Sequence, residues 1–159
     1  MNSGIRCIFF AIAFVSMCIA APVAFGMGGS ETPKASINDP DYASGKAAID
    51  RKDWNAAIAS FEKVVAHDNK NADAYNWLGY ASRKSGKLDV AFTYYDKALA
   101  IDPKHKGAHE YVGEAYLMAN NLPKAEEQLA MLARLCNAKC DEYQDLKEDI
   151  DDYKAGKKS

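Results

Sequence analysis

Residues 72–103 read Ala-Asp-Ala-Tyr-Asn-Trp-Leu-Gly-Tyr-Ala-Ser-Arg-Lys-Ser-Gly-Lys-Leu-Asp-Val-Ala-Phe-Thr-Tyr-Tyr-Asp-Lys-Ala-Leu-Ala-Ile-Asp-Pro. Large apolar residues recur at helical spacing, at Tyr75, Leu78, Leu88, Tyr95 and Leu99. Small residues, Gly79, Ala91 and Ala98, fall between them where two helices would have to touch. Gly86 separates the two runs as a turn, and Pro103 stops the second. The stretch therefore predicts a helix over 72–84, a tight turn, and a second helix over 88–101 packed back on the first.

Such a hairpin cannot bury its apolar face alone, so the same pattern should recur at a fixed period. Shifted by about 34 residues, Gly79 falls on Gly45 and Gly113, and Ala91 on Ala57 and Ala125. Tyr95 falls on Phe61 and Leu129, Ala98 on Val64 and Leu132, and Leu88 on Trp54 and Leu122. In hairpin, period and size classes the chain resembles the tetratricopeptide repeat (TPR) family. The expected fold is all-α, an α-solenoid of three TPR hairpins (39–71, 72–105 and 106–135) followed by a capping helix. Asp39-Pro40 supplies an N-cap and a proline at the first helical position. It predicts a first-repeat pair near 40–51 and 54–67, and the third repeat follows near 106–119 and 122–135. The first repeat is degenerate, with Ser44 where Leu78 and Val112 stand later, as suits a terminal repeat with one face in water.

The remainder of the chain is read around this array. The balance of 20 basic and 22 acidic residues, with no long basic block, leaves no electrostatic footprint for nucleic acid. Residues 1–26 are expected to form a secretory signal peptide. Arg6 is the only charge before an apolar run from Cys7 to Phe25, and Ala24-Phe25-Gly26 offers small residues for cleavage after Gly26. The run is long for a signal peptide, so an uncleaved anchor is the alternative. Both place the repeats outside the cytoplasm, periplasmic or secreted. Residues 27–38 are polar and rich in glycine and serine, predicting a disordered linker. Beyond the array, residues 136–154 hold a Cys-x3-Cys corner and a helix whose narrow stripe, Tyr143, Leu146, Ile150 and Tyr153, should cap the last hairpin. The alternative is a free amphipathic helix that docks on a partner. Residues 155–159 read as a disordered tail.

Residues able to carry chemistry are few. Cys136 and Cys140 are the cysteines left outside the leader, and in an oxidising compartment they read as a structural disulfide. Free thiols, or a redox or metal role, are the alternatives. His105 and His109 are four residues apart, yet one lies in a turn and the other in the packing column of Tyr75, so no metal site is expected. Neither a paired nucleophile nor a glycine-rich phosphate loop is present. The expectation is a protein that is not an enzyme and needs no cofactor.

What the TPR resemblance implies for function is a concave groove lined by the first helix of each repeat. By that resemblance the groove residues are Tyr42 and Lys46, then Asn76, Trp77, Tyr80, Arg83 and Lys84, then Glu110, Tyr111, Glu114, Leu117 and Met118. The places where carboxylate-clamp TPR domains carry Lys, Asn, Asn, Lys and Arg hold Tyr42, Lys46, Trp77, Gly107 and Tyr111 here, so that clamp is absent. In its place stands an aromatic cluster of Tyr42, Trp77, Tyr80 and Tyr111. It implies a protein or peptide partner with an apolar or aromatic anchor, unless the rings only pack on one another or on the linker. Trp77 follows Tyr75 by two residues, a rotation of about 200°, and is expected to leave the buried stripe and serve as the anchor point, so that Trp77→Ala would spare folding. The overall expectation is a non-catalytic binding module in envelope assembly or scaffolding. The alternative is a redox- or metal-handling protein centred on Cys136 and Cys140.

Overall fold

The computed structural model describes residues 38–157, so the leader and most of the linker lie outside the described residues. Seven helices follow in order: α1 Pro40–Asp50, α2 Trp54–His67, α3 Ala72–Lys84, α4 Leu88–Ile101, α5 Lys106–Met118, α6 Leu122–Cys136 and α7 Asp141–Lys154. The described residues contain no strand. The helices begin where side chains can satisfy free amides. Asp39 accepts from the amides of Asp41 and Tyr42 at 2.8 and 3.2 Å, and Asn71 Oδ1 accepts from Ala74 at 3.0 Å. His105 does the same for α5, its Nδ1 accepting from the Ala108 amide at 3.1 Å, so a residue expected in a turn proves to be an N-cap.

Each hairpin turns through a left-handed residue at one column of the repeat: Lys52 (φ 58°), Gly86 (φ 81°) and Asn120 (φ 56°). The amide after each closes the turn onto the preceding helix, Asp53 to the Ala48 carbonyl, Lys87 to Ser82 and Asn121 to Tyr116. α7 ends identically, with Gly156 at φ 69° and the Lys157 amide on the Asp152 carbonyl. It thus terminates like the first helix of a further repeat.

The small-residue column explains how closely the helices approach. A Cβ at Gly45 would stand 2.7 Å from Phe61 Cζ, and one at Gly79 would run into the Tyr95 ring. At Gly113 the intruding group is not Leu129 of its own repeat but Leu146 of α7, 2.5 Å from that Cβ position. Leu129 is smaller than a ring and leaves room that the next helix fills. Leu146 and Ile150 are fully buried with Leu132 and Ala125, so α7 is part of the packed array.

The first helices form the inner wall. α3 packs directly on α5 and α5 on α7, whereas neither α2 with α4 nor α4 with α6 forms an extended pair. At the join of α6 and α7, Asn137 and Ala138 are both left-handed, and the Cys136 and Cys140 sulfurs stand at bonding distance with Cα atoms 5.7 Å apart.

Candidate binding groove

The inner wall carries a belt of rings. Tyr42 from α1 meets Phe61 edge-on at 5.4 Å, and Trp77 from α3 lies nearly parallel to Phe61 at 6.3 Å and 15°. Trp77 then contacts Tyr80 at 5.5 Å and Tyr111 of α5 at 6.1 Å, while Tyr80 and Tyr111 lie 5.0 Å apart. The indole Nε1–H donates to the Tyr42 hydroxyl at 3.0 Å, and Lys46 Nζ sits 3.5 Å above the Trp77 ring. Burial pushes the Tyr42 hydroxyl up to about 12, with the Asp73 carboxylate adding to it.

These contacts correct the expectation for Trp77. It does leave the stripe of Leu78, yet it is half-buried and packs on the core cluster of the first repeat. The 200° rotation turns it from its own hairpin onto the neighbouring one. Truncating it must therefore cost packing.

Three other expected groove residues, Asn76, Arg83 and Leu117, are buried. Asn76 is 4 % exposed, and its Oδ1 has no hydrogen-bond partner among the described residues. Arg83 is 3 % exposed, its guanidinium locked between three helices. Its Nε–H donates to the Tyr95 hydroxyl at 3.3 Å, Nη1 meets Glu114 at 2.6 Å, and the group lies 5.4 and 5.8 Å from the Tyr80 and Tyr111 rings. Burial alone would lower the Arg83 pKa, but Tyr95 and Glu114 outweigh it and hold it above the ordinary value. Leu117 is buried as well. α5 closes over Asn76 and Arg83 on α3, while Leu117 is buried among Ala125, Leu132, Leu146 and Ile150 of α6 and α7. Tyr42, Lys46, Trp77, Tyr80, Glu110, Tyr111 and Glu114 are half-buried, and Lys84 and Met118 are exposed.

The residues that sequence reasoning missed come from α7. A pocket of about 350 Å³ is lined by Arg83, Lys84, Glu114, Leu117 and Met118, and its far wall is Asp149. Asp145 and Glu142 stand on the same helix, α7, and their charges act on Glu110. Burial, then Glu114, Asp145 and Glu142, push the Glu110 carboxyl up to about 8 against the opposing pull of Arg83. Burial likewise raises Asp149. The signal was present: at the repeat period Tyr143, Leu146 and Ile150 extend the columns Tyr75–His109, Leu78–Val112 and Ser82–Tyr116, which places Asp145 in the column of Trp77 and Tyr111.

The histidines are tied into structure. His109 contacts Gln128 Oε1 at 2.7 Å and the Pro103 carbonyl at 3.0 Å, and His105 Nε2 meets Asp73 at 3.0 Å. Among the described residues no group of three or more His, Cys, Asp or Glu is placed to hold a metal.

Stacked helical hairpins with glycine-mediated contacts and a continuous inner wall define an α-solenoid repeat protein. Two tetratricopeptide-repeat family models match residues 42–106 and 82–150, together well over half of the chain, and the protein belongs to the tetratricopeptide repeat family. The protein O-mannosyl-transferase Tmtc3 of Drosophila melanogaster is 33 % identical over 75 residues, which cover 47 % of this chain but only 8 % of that relative. Among solved structures, the TPR2B domain of yeast Sti1 superposes with TM-score 0.66 at 17 % identity, covering 74 % of this chain and 95 % of the other. The Yersinia enterocolitica type III secretion chaperone SycD, solved with a peptide of the translocator YopD, gives TM-score 0.64 at 19 % identity, covering 74 % and 92 %.

Proposed function

We propose that this protein is a non-catalytic module that holds a peptide or protein segment in its inner groove. The observation that carries the reading is the ring belt Tyr42–Trp77–Tyr80–Tyr111, which crosses the first helices of three successive repeats and stays half-buried on the inner wall. Aromatic side chains in a preformed concave wall supply large contact area at low entropic cost, the usual anchor chemistry of an interface. The shared fold of SycD, solved with a translocator peptide, supports a segment as the ligand. The apolar leader motivates a site of action outside the cytoplasm, in the assembly of the cell envelope.

Site-specific photo-crosslinking tests this. A crosslinking amino acid at Met118, exposed beside the groove, is expected to capture a discrete partner, whereas the same group at Val90, exposed on α4, is not. Equal labelling from both positions, or none from Met118, rejects the groove as the binding surface. Fractionation of the tagged chain tests the location separately, and recovery in the cytoplasm would reject the envelope role.

A further inference from the structure

The sulfur atoms among the described residues belong to Met118, Met131, Cys136 and Cys140. The two cysteine sulfurs stand at bonding distance, which leaves the thioethers of Met118 and Met131 open to oxidation. Met131 is half-buried on α6, whereas Met118, the last residue of α5, is 51 % exposed and forms part of the wall of the inner pocket. Its place in the repeat does not call for an apolar side chain. At the repeat period its column holds Asp50, Lys84 and Asp152, all charged. Packing therefore leaves the choice of methionine unexplained.

A second observation concerns what the Met118 sulfur faces. Arg83 Nη1 donates to Sδ at 3.9 Å. The same nitrogen meets Glu114 at 2.6 Å, so one of its hydrogens is taken by the carboxylate and the other is left for the sulfur. A thioether is a weak acceptor, and the contact contributes little as it stands. An oxygen carried by that sulfur is a far better acceptor and reaches about one bond length nearer to the guanidinium. A hydrogen bond from a charged donor is roughly twice as strong as one between neutral groups. A sulfoxide is neutral, so it enters beside Glu114 without the repulsion of a second carboxylate. The Met118 side chain, unbranched and half in solvent, is free to turn the oxygen inward.

We propose that Met118 is a reversible oxidation site for hydrogen peroxide, and that Arg83 Nη1 holds the oxygen of the resulting sulfoxide. The sulfur lone pair attacks one peroxide oxygen as the O–O bond breaks. The departing hydroxide takes the proton left on the new sulfoxide oxygen, so the products are sulfoxide and water. Sulfur gives up two electrons and the peroxide accepts them. Two thiols of a methionine sulfoxide reductase reverse the step, becoming a disulfide as the oxygen leaves as water. Oxidation of a packed methionine disrupts its surroundings. At Met118 it instead ties the end of α5 to a guanidinium that already joins α3 to α4 through Tyr95 and to α5 through Glu114. It also exchanges an apolar part of the pocket wall for a polar one. The inference goes beyond the groove reading and does not depend on it, because no partner takes part.

The test treats the full chain and its Met118→Leu variant with graded hydrogen peroxide and maps the added oxygens by peptide mass spectrometry. Leucine nearly conserves the volume, and every other methionine is common to both chains, so their difference reports Met118 alone. Met118 is expected to gain its oxygen before Met131 does, and to lose it again to a sulfoxide reductase supplied with dithiothreitol. Two further readings separate a held sulfoxide from a merely exposed one. The Arg83 side-chain Nε–H signal in nitrogen-15 spectra should shift on oxidation of the parent and stay in place in Met118→Leu. The melting temperature of the parent should rise by about 3 °C on oxidation relative to the variant. Oxidation of Met131 first, or of both at one rate, overturns Met118 as the site. An Arg83 signal that does not move, or a melting temperature that fails to rise, overturns the hold by the guanidinium.

Discussion

Whether α7 belongs to the folding unit is decided at one contact, Gly113 against Leu146. Leu146 is fully buried, and truncation to alanine removes its side chain from a packed site, at a cost of about 2–5 kcal/mol. The reciprocal change, Gly113→Ala, places a Cβ 2.5 and 2.8 Å from the two Leu146 methyls and 3.3 Å from its Cγ. Overpacking of that kind costs roughly 1–3 kcal/mol. Against it stands about 1 kcal/mol gained by replacing glycine with alanine inside a helix. The net effect in the otherwise unchanged protein is a loss of up to about 2 kcal/mol. In a Leu146→Ala background the obstructing atoms are gone, so only the helix-propensity gain remains and the new methyl fills part of the cavity. Gly113→Ala should therefore change sign, from destabilising to stabilising, with a coupling of about 1–3 kcal/mol. Urea unfolding followed by far-UV circular dichroism, compared at constant m, measures all four corners of the cycle. An effect of Gly113→Ala that is the same in both backgrounds within about 0.5 kcal/mol would refute the packing of α7 on α5.

Trp77→Ala is expected to cost about 3 kcal/mol, near the lower end for a buried large aromatic because the ring is half-buried; Trp77→Phe should recover most of it, losing about 1 kcal/mol with the hydrogen bond to Tyr42. A loss below 1 kcal/mol for the alanine in a urea titration would return Trp77 to the role of a free anchor. For Glu110 the folded pKa of about 8 lies above the ordinary 4.5, so the folded state holds a proton that the unfolded state releases between those values. Its contribution to stability is therefore full below about pH 4.5 and is lost as pH rises toward 8; the melting temperature of Glu110→Gln should gain on the parent across that window, and parallel curves would contradict the assignment. Joining Cys136 and Cys140 closes a very short loop and should add about 2 kcal/mol in the chain-entropy picture. Mass spectrometry without reductant should find the chain two hydrogens light, and two freely alkylated thiols would show the pair unjoined.

The helices were legible because the repeat states each of them more than once. Tyr75, Leu78, Gly79 and Ala91 define a hairpin, and their period-shifted copies fix the others to within a residue or two. The left-handed turn column was legible only at Gly86; Lys52 and Asn120 occupy the same conformation without announcing it, since hydrogen bonds from the following amides impose it. The groove was half legible. Its rings follow from family geometry, but the burial of Asn76 and Arg83 depends on how closely α5 settles over α3, which no single-helix pattern encodes. The contribution of α7 was hidden differently. Its stripe, taken alone, describes a cap, and only continuing the period past 135 turns its acidic face toward the groove.

Arg83 links the stability of the array to the shape of its groove. It joins α3 to α4 through Tyr95 and to α5 through Glu114, and it underlies the ring pair Tyr80–Tyr111. A buried ion pair is seldom a net source of stability, because desolvation offsets most of the attraction. Removing one partner is nevertheless severe, since it strands the other charge in the interior. The pair therefore penalises any movement of α5 relative to α3 far more than an apolar contact of the same area would. The rings it supports are held in place before a ligand arrives, so little ordering cost remains for binding. The preorganised rings thus owe their placement to the guanidinium that fixes the spacing of the inner helices.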